Sequence, residues 1–187
     1  MKKIIALTLS LMMLLTCAAV FAEAAEKQSI TMTGAFSISY DKLPEYYAMQ
    51  KLSDNKMEFT ALLNSTDAAK PQLYLSIKFD DQWSEANTLE DITEEEMLAL
   101  KDSFYRVSEL DEGDLLFTEA ETGMGTKLLV VRDVNGSAGA VFCIYMSHEV
   151  EIDLFPGAAG NPVTEEDLQA VIQFITDIEF TPVEAAK

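Results

Sequence analysis

The sequence predicts an α+β fold, an antiparallel β-sheet of about six to eight strands packed with two helices as an α/β sandwich. Three observations carry that reading. Residues 126–133, 140–147 and 149–154 are three consecutive stretches dominated by β-branched and aromatic side chains, which fit a pleated, half-buried surface. Two stretches earlier in the chain, 57–63 and 72–79, alternate apolar and polar residues with the period of a strand. Two helix starts are written in the same chemistry, Ile92 to Met97 and Val163 to Leu168, with a threonine in second place and acids after it.

Taken in order, the chain begins with a leader. Lys2 and Lys3 precede an apolar run from Ile4 to Val20, followed by Phe21 and Ala22. A basic start, an apolar core and a small-residue exit predict a secretory signal peptide cleaved after Ala22, with Ala24 as the next choice. The same residues have two other readings. One is a retained membrane anchor, for which the run has about the minimum length. The other is a lipoprotein attached at Cys17, against which stands Thr16 directly before the cysteine. The expected organisation is a signal peptide over 1–22, one α+β domain over 23–182 and a loose tail over 183–187. No other apolar run approaches spanning length, so a secreted or extracytoplasmic protein without stable membrane insertion after cleavage is expected.

A first short strand is expected over 29–33 and a second over 36–40, with Phe36, Ile38 and Tyr40 on one face. Residues 41–47 read as a loop or short helix and 51–56 as a turn. Strands follow at 57–63 and 72–79, the latter with Leu73, Leu75, Ile77 and Phe79 alternating with Tyr74, Ser76 and Lys78. A loop holding Trp83, the single tryptophan, leads to the first helix. Thr93 caps it, Glu96 stands at the reciprocal position, and Ile92 and Met97 close a hydrophobic staple. Met97, Leu100 and Phe104 fall on one face, with helix expected to about Arg106. A turn at 111–114 and a strand at 115–119 lead through Gly123 and Gly125 into the three-strand run. Asn135 and Gly136 supply the positive φ angles of a tight hairpin. In the last strand Val150, Ile152 and Leu154 face one way and Glu149, Glu151 and Asp153 the other, the pattern of a sheet with one dry and one wet face. The closing helix carries a stripe of Leu168, Val171, Ile172, Ile175 and Ile178.

Charge and cysteine content bound the function. Thirteen Lys and Arg stand against 32 Asp and Glu, a formal net charge of −19, and the leader removes two lysines and no acid. Nucleic acid is excluded as a partner, because phosphate binding runs on clustered Lys and Arg. A basic partner is favoured. Without the leader one cysteine remains, Cys143, so no internal disulfide forms and the domain rests on its core.

Few residues suggest chemistry. Thr122 to Lys127 resembles a phosphate cradle but lies between two strands, so a glycine-shaped turn is the expectation. Cys143 and His148 are the one thiol–imidazole pair; five apart in extended chain they point to opposite faces unless a turn near Ser147 intervenes. Cys143, between Phe142 and Ile144, reads as an inert core residue. Acids cluster at 80–81, 90–91, 94–96 and 111–114 without the spacing of a calcium loop or of a defined carboxylate pair. Tyr46, Tyr47 and Trp83 are bulky aromatics in expected loops, where such residues either anchor partners or lid a core. They are the candidate ligand- or partner-binding residues. No catalytic residue, metal ligand or cofactor is assigned.

The order of strands, a helix, further antiparallel strands and a final helix resembles the PsbP/Mog-like family. Residues 36–40 resemble its opening strand, and the helix from Leu168 to Ile178 followed by Glu179 and Phe180 is similar to its ending. The resemblance covers about residues 30–182. It implies a single-domain α/β sandwich and an accessory or binding protein without catalysis of its own, and it carries over no site residue. Two further readings of the residues stand beside it: a small secreted hydrolase centred on His148 or an acid pair, and a weak divalent-cation binder. The partner under the first reading is a protein or a small molecule, a basic one if charge decides.

Overall fold

In the computed structural model, residues 27–31, 36–54, 58–108, 111, 113–123 and 125–182 are described. The leader, the ends of the expected strands at residues 32–33 and 57, Glu112 and the 183–187 tail lie outside the described residues. Ten strands and two α-helices are present among them: β1 (Gln28–Thr31), β2 (Phe36–Tyr40), β3 (Tyr47–Asp54), β4 (Glu58–Ser65), β5 (Gln72–Phe79), α1 (Glu94–Ser108), β6 (Leu115–Glu121), β7 (Lys127–Asp133), β8 (Gly139–Tyr145), β9 (His148–Phe155), α2 (Glu165–Thr176) and β10 (Glu179–Pro182). Seven strands form one antiparallel sheet in the order β3-β4-β5-β9-β8-β7-β6; β1, β2 and β10 form a second, three-stranded sheet. The α+β class and the two helices are as the sequence predicts.

Alternation builds the first face of the large sheet. Phe59, Ala61 and Leu63 of β4, Leu73, Leu75 and Ile77 of β5, and Val150, Ile152 and Leu154 of β9 are all buried on it. They pack against the stripe of α2 and against Ile30, Ile38, Tyr40 and Phe180 of the small sheet. Tyr145 stacks on Phe180 with centroids 4.2 Å apart. At 25 cal/mol for each Å² of apolar surface removed from water, this two-layer core is the dominant stabilising term.

The second face departs from the expectation of a wet side. Leu115, Leu129, Val131, Ala140, Phe142 and Ile144 form a second core with Leu100 of α1 and with Trp83, Ala86 and Leu89 of the preceding loop. Phe104 meets the rings of Phe117 and Phe142. The reason lies in β7 and β8. Leu128 to Val131 and Ala140 to Ile144 are apolar at every position and buried throughout, so both of their faces need cover. Helix α1 supplies it with Met97, Leu100 and Phe104. Glu149, Glu151 and Asp153 of β9 therefore stand at the border of a covered face, and Glu149 is buried.

Both helix starts form as read. Thr93 and Glu96 exchange backbone N–H bonds at 2.7 and 3.2 Å, and Thr164 and Asp167 do the same at 3.0 and 3.3 Å. Two strands were not expected. β3 occupies the end of the stretch read as loop or short helix, the unassigned residues 48–50 and most of the stretch read as turn, and β10 follows α2 and pairs with β2. The hairpins also exchange roles. The loop after β7 is longer than a two-residue turn, and of its Asn-Gly pair only Gly136 has positive φ, 72°. A Cβ at Gly136 would meet Pro162 Cβ at 2.7 Å and Val163 O at 2.8 Å, where the loop abuts the start of α2. The two-residue turn is instead Met146–Ser147, with φ of 47° and 64°. It is held from outside: Met146 N–H donates to Asn87 O at 3.2 Å and Ser147 N–H to Ala86 O at 2.9 Å.

Candidate functional site: an acid-lined cleft between α1 and the sheet

Where α1 stops covering the sheet a cleft of about 700 Å³ opens, within the ~300–1,000 Å³ of small-molecule sites. Its apolar wall is Leu100 and Phe104 of α1 with Leu115, Val131 and Phe142 of the sheet. Its polar wall is β9, where Glu149, Glu151 and Asp153 project to one side because strand side chains alternate. Lys78, Asp80 and Trp83 close one end, and Asp133, Ser137 and Arg106 line the rest.

The acids differ in their partners. Glu149 is saturated: Trp83 Nε1 donates to its Oε1 at 2.8 Å and Lys78 Nζ pairs with its Oε2 at 2.7 Å. Asp133 is spent on the fold. Burial works to raise its pKa, but bonds from the Ser137 hydroxyl and from the backbone N–H of Asn135 and Ser137 outweigh it and hold the carboxyl low. Asp80 caps the 3₁₀ turn Asp81–Trp83 by accepting from Gln82 N–H at 2.8 Å.

Glu151 and Asp153 remain. They are hydrogen-bonded to each other. Burial, then the charges of Asp153 and Glu149, push the Glu151 carboxyl up to about 8. Burial raises Asp153 to about 6, against the Glu151 bond and the Lys78 charge. The pair behaves as one unit sharing a proton near neutral pH, because two carboxylates this close cannot both ionise cheaply.

The sequence-derived candidates fall in different places. Trp83 forms part of the cleft wall, yet it is 2% exposed. Of the two roles read for it, anchor or lid, burial against the second core and the bond to Glu149 make this side chain a lid with one polar tip in the cleft. Tyr47 is half-buried at the head of β3, its hydroxyl donating to Pro71 O at 2.7 Å. Burial, with Asp167 and Asp67 nearby, pushes that phenol up to about 12. Tyr46 is exposed, with φ of 74°. Neither tyrosine lines the cleft.

Cys143 and His148 share a face, because the Met146–Ser147 turn pairs Cys143 with Val150 and Tyr145 with His148. That face is the first core, opposite the cleft. Cys143 is fully buried, which pushes its thiol up to about 12. His148 Nδ1 lies 2.7 Å from Met146 O, and its ring meets Phe79 edge-on.

Among the described residues of the acid clusters singled out by sequence, Asp80, Asp91, Glu96 and Asp114 serve in caps and turns. Asp91, for example, accepts from the N–H groups of Asn87 and Thr88 at 2.9 Å each, which holds its carboxyl low. The acids that matter most at the cleft, Glu151 and Asp153, read in the sequence as part of a wet face. Two signals would have found them. The stripe of α1 needs a sheet face to bury it, and the continuous apolar run from Val141 to Ile144 offers one next to β9. Among the described residues no group of three or more His, Cys, Asp or Glu is arranged to hold a metal ion. No helix among them is long and apolar enough to cross a membrane.

Fold and cleft thus define an α+β domain whose seven-stranded antiparallel sheet is covered on both faces and carries a carboxyl pair at the edge of one cover. Compared with known protein families and with curated proteins, the sequence matches none of either.

Proposed function

We propose that the protein is an exported, non-enzymatic binding or accessory domain whose ligand enters the cleft between α1 and β9. One observation carries the reading: a cavity of small-molecule size joins an apolar wall to a carboxyl pair that, among the described residues, no Lys or Arg bridges directly, Lys78 reaching it only through its charge from its place on Glu149. Export rests on the leader pattern from Lys2 to Ala22. Membership of the PsbP/Mog-like family belongs to the same proposal and is supported by the order of elements.

The geometry argues for binding over turnover. A glycosidase needs its two carboxyls about 5–5.5 Å apart when retaining and about 6.5–9.5 Å apart when inverting. Glu151 and Asp153 stand side by side at alternate positions on one face of β9 and interact with each other, where a glycosidase needs its carboxyls to flank the scissile bond. The cleft hydroxyls are engaged, Ser103 donating to Leu100 O at 2.6 Å and Ser137 to Asp133. His148 and Cys143 lie on the other face of the sheet. One observation favours the hydrolase reading, a Glu151 that keeps its proton near neutral pH as an acid catalyst would.

The two readings separate in an assay of the protein on broad panels of esters, peptides and glycosides. Binding predicts no turnover with any of them. Turnover that disappears in Glu151→Gln would overturn the binding reading and install the acid-pair hydrolase; turnover that disappears in His148→Ala would install the other.

A further inference from the structure

We propose that the cleft binds a small organic cation with an apolar body, its ammonium seated against Glu151 and Asp153 and its body against Phe104 and Phe142. The inference rests on the cleft being a ligand site and adds the class of ligand. Charge complementarity selects the class. Five carboxyl residues line the cleft, Asp80, Asp133, Glu149, Glu151 and Asp153, against Lys78 and Arg106. Lys78 pairs with Glu149 at 2.7 Å and offsets only part of the acid charge at the pair, so with five carboxyl residues against two cationic ones the net field there is negative and a cation is the charge it attracts. The opposite wall is apolar and aromatic, which a bare metal ion leaves unused. Aromatic faces favour an organic cation, through both area and ring charge distribution.

Binding is coupled to a proton. The ammonium approaches the hydrogen-bonded pair and stabilises its doubly ionised form, so the proton shared by Glu151 and Asp153 leaves to solvent as the cation arrives. The groups facing the pair set this balance. Glu149 on the same strand opposes ionisation, Lys78 on β5 favours it, and Arg106 and Asp133 stand further along the lining. The predicted result is an affinity that rises with pH and, from neutral pH upward, a release of up to one proton per ligand.

The test is calorimetric titration with phenethylammonium and with its uncharged counterpart phenethyl alcohol, at pH 5 and pH 8, in two buffers of different ionisation enthalpy. We expect phenethylammonium to bind at least tenfold more tightly than the alcohol at pH 8, to weaken about tenfold at pH 5, and to release a proton. Glu151→Gln should reduce both the preference and the proton release, with a Tm at pH 8 equal to or above that of the unmodified protein. Ala99→Trp, which fills the cleft from the exposed side of α1 without altering its charge, should abolish binding of either compound. Equal binding of amine and alcohol, lost in Ala99→Trp, overturns the cation inference and leaves the cleft as a ligand site. Binding of neither compound overturns the inference. Binding that survives Ala99→Trp overturns the inference and the placement of the site together.

Discussion

Two residues show how local chemistry is subordinated to the sheet. Met146 holds φ of 47° although it is not glycine, a conformation that costs a non-glycine residue about 1–3 kcal/mol. The turn is kept because Asn87 and Ala86 accept its N–H groups from outside. Met146 is itself 38% exposed, so its side chain contributes little packing. Met146→Asn, which tolerates that conformation, should therefore raise stability by about 0.5–1 kcal/mol, measured by denaturant unfolding at constant m-value. Cys143 is the opposite case. A thiol buried and raised to about 12 presents almost no thiolate. Labelling of the native protein should proceed only as fast as the strand opens, while urea should expose it at once. Fast labelling under native conditions would refute the buried placement.

At the scale of elements, the sequence is legible where burial is one-sided and periodic. β4, β5 and β9 announce themselves because every second residue enters the first core, and both helices do so through their caps. Thr93→Ala and Thr164→Ala should each cost about 1 kcal/mol, seen as a shifted thermal or urea midpoint. Thr164→Ala should cost the more, since its partner Asp167 is buried and also pairs with Lys70 at 3.4 Å. β3 is illegible for a physical reason. It is an edge strand whose residues are mostly exposed, so no alternation of apolar and polar residues marks it, and its pairing with β4 comes from backbone bonds. β10 has four residues and exists because β2 offers an edge. The cleft stayed hidden because the acids of β9 look like a solvent face when that strand is taken alone. Only the requirement that β7 and β8 be covered twice brings α1 over them and half encloses Glu151 and Asp153.

For the whole molecule, acidity and the carboxyl pair act on stability in the same direction but through different physics. A net charge of −19 makes the folded chain repel itself, a long-range effect that salt screens. The pair is local and partly buried, so salt reaches it poorly. Glu151 is raised from its ordinary 4.5 to about 8. The folded state therefore keeps a proton that the unfolded chain has released, and the stability this provides is full below about pH 4.5 and is lost as pH rises through about 8. Asp153, raised from 3.8 to about 6, adds to the loss over the lower part of that window. The Tm should fall between pH 5 and pH 8, by about 2–4 °C for each kcal/mol lost in a chain of this size. High salt should restore only the part due to surface repulsion. Glu151→Gln, which cannot ionise, should fall less steeply at every salt concentration, crossing the unmodified protein and exceeding it at pH 8. Saturation with a bound cation should flatten the unmodified curve in the same way, because the ligand replaces the proton. A Tm that falls as steeply in Glu151→Gln as in the unmodified protein would place the pH dependence in the surface charge alone and remove the carboxyl pair from the account.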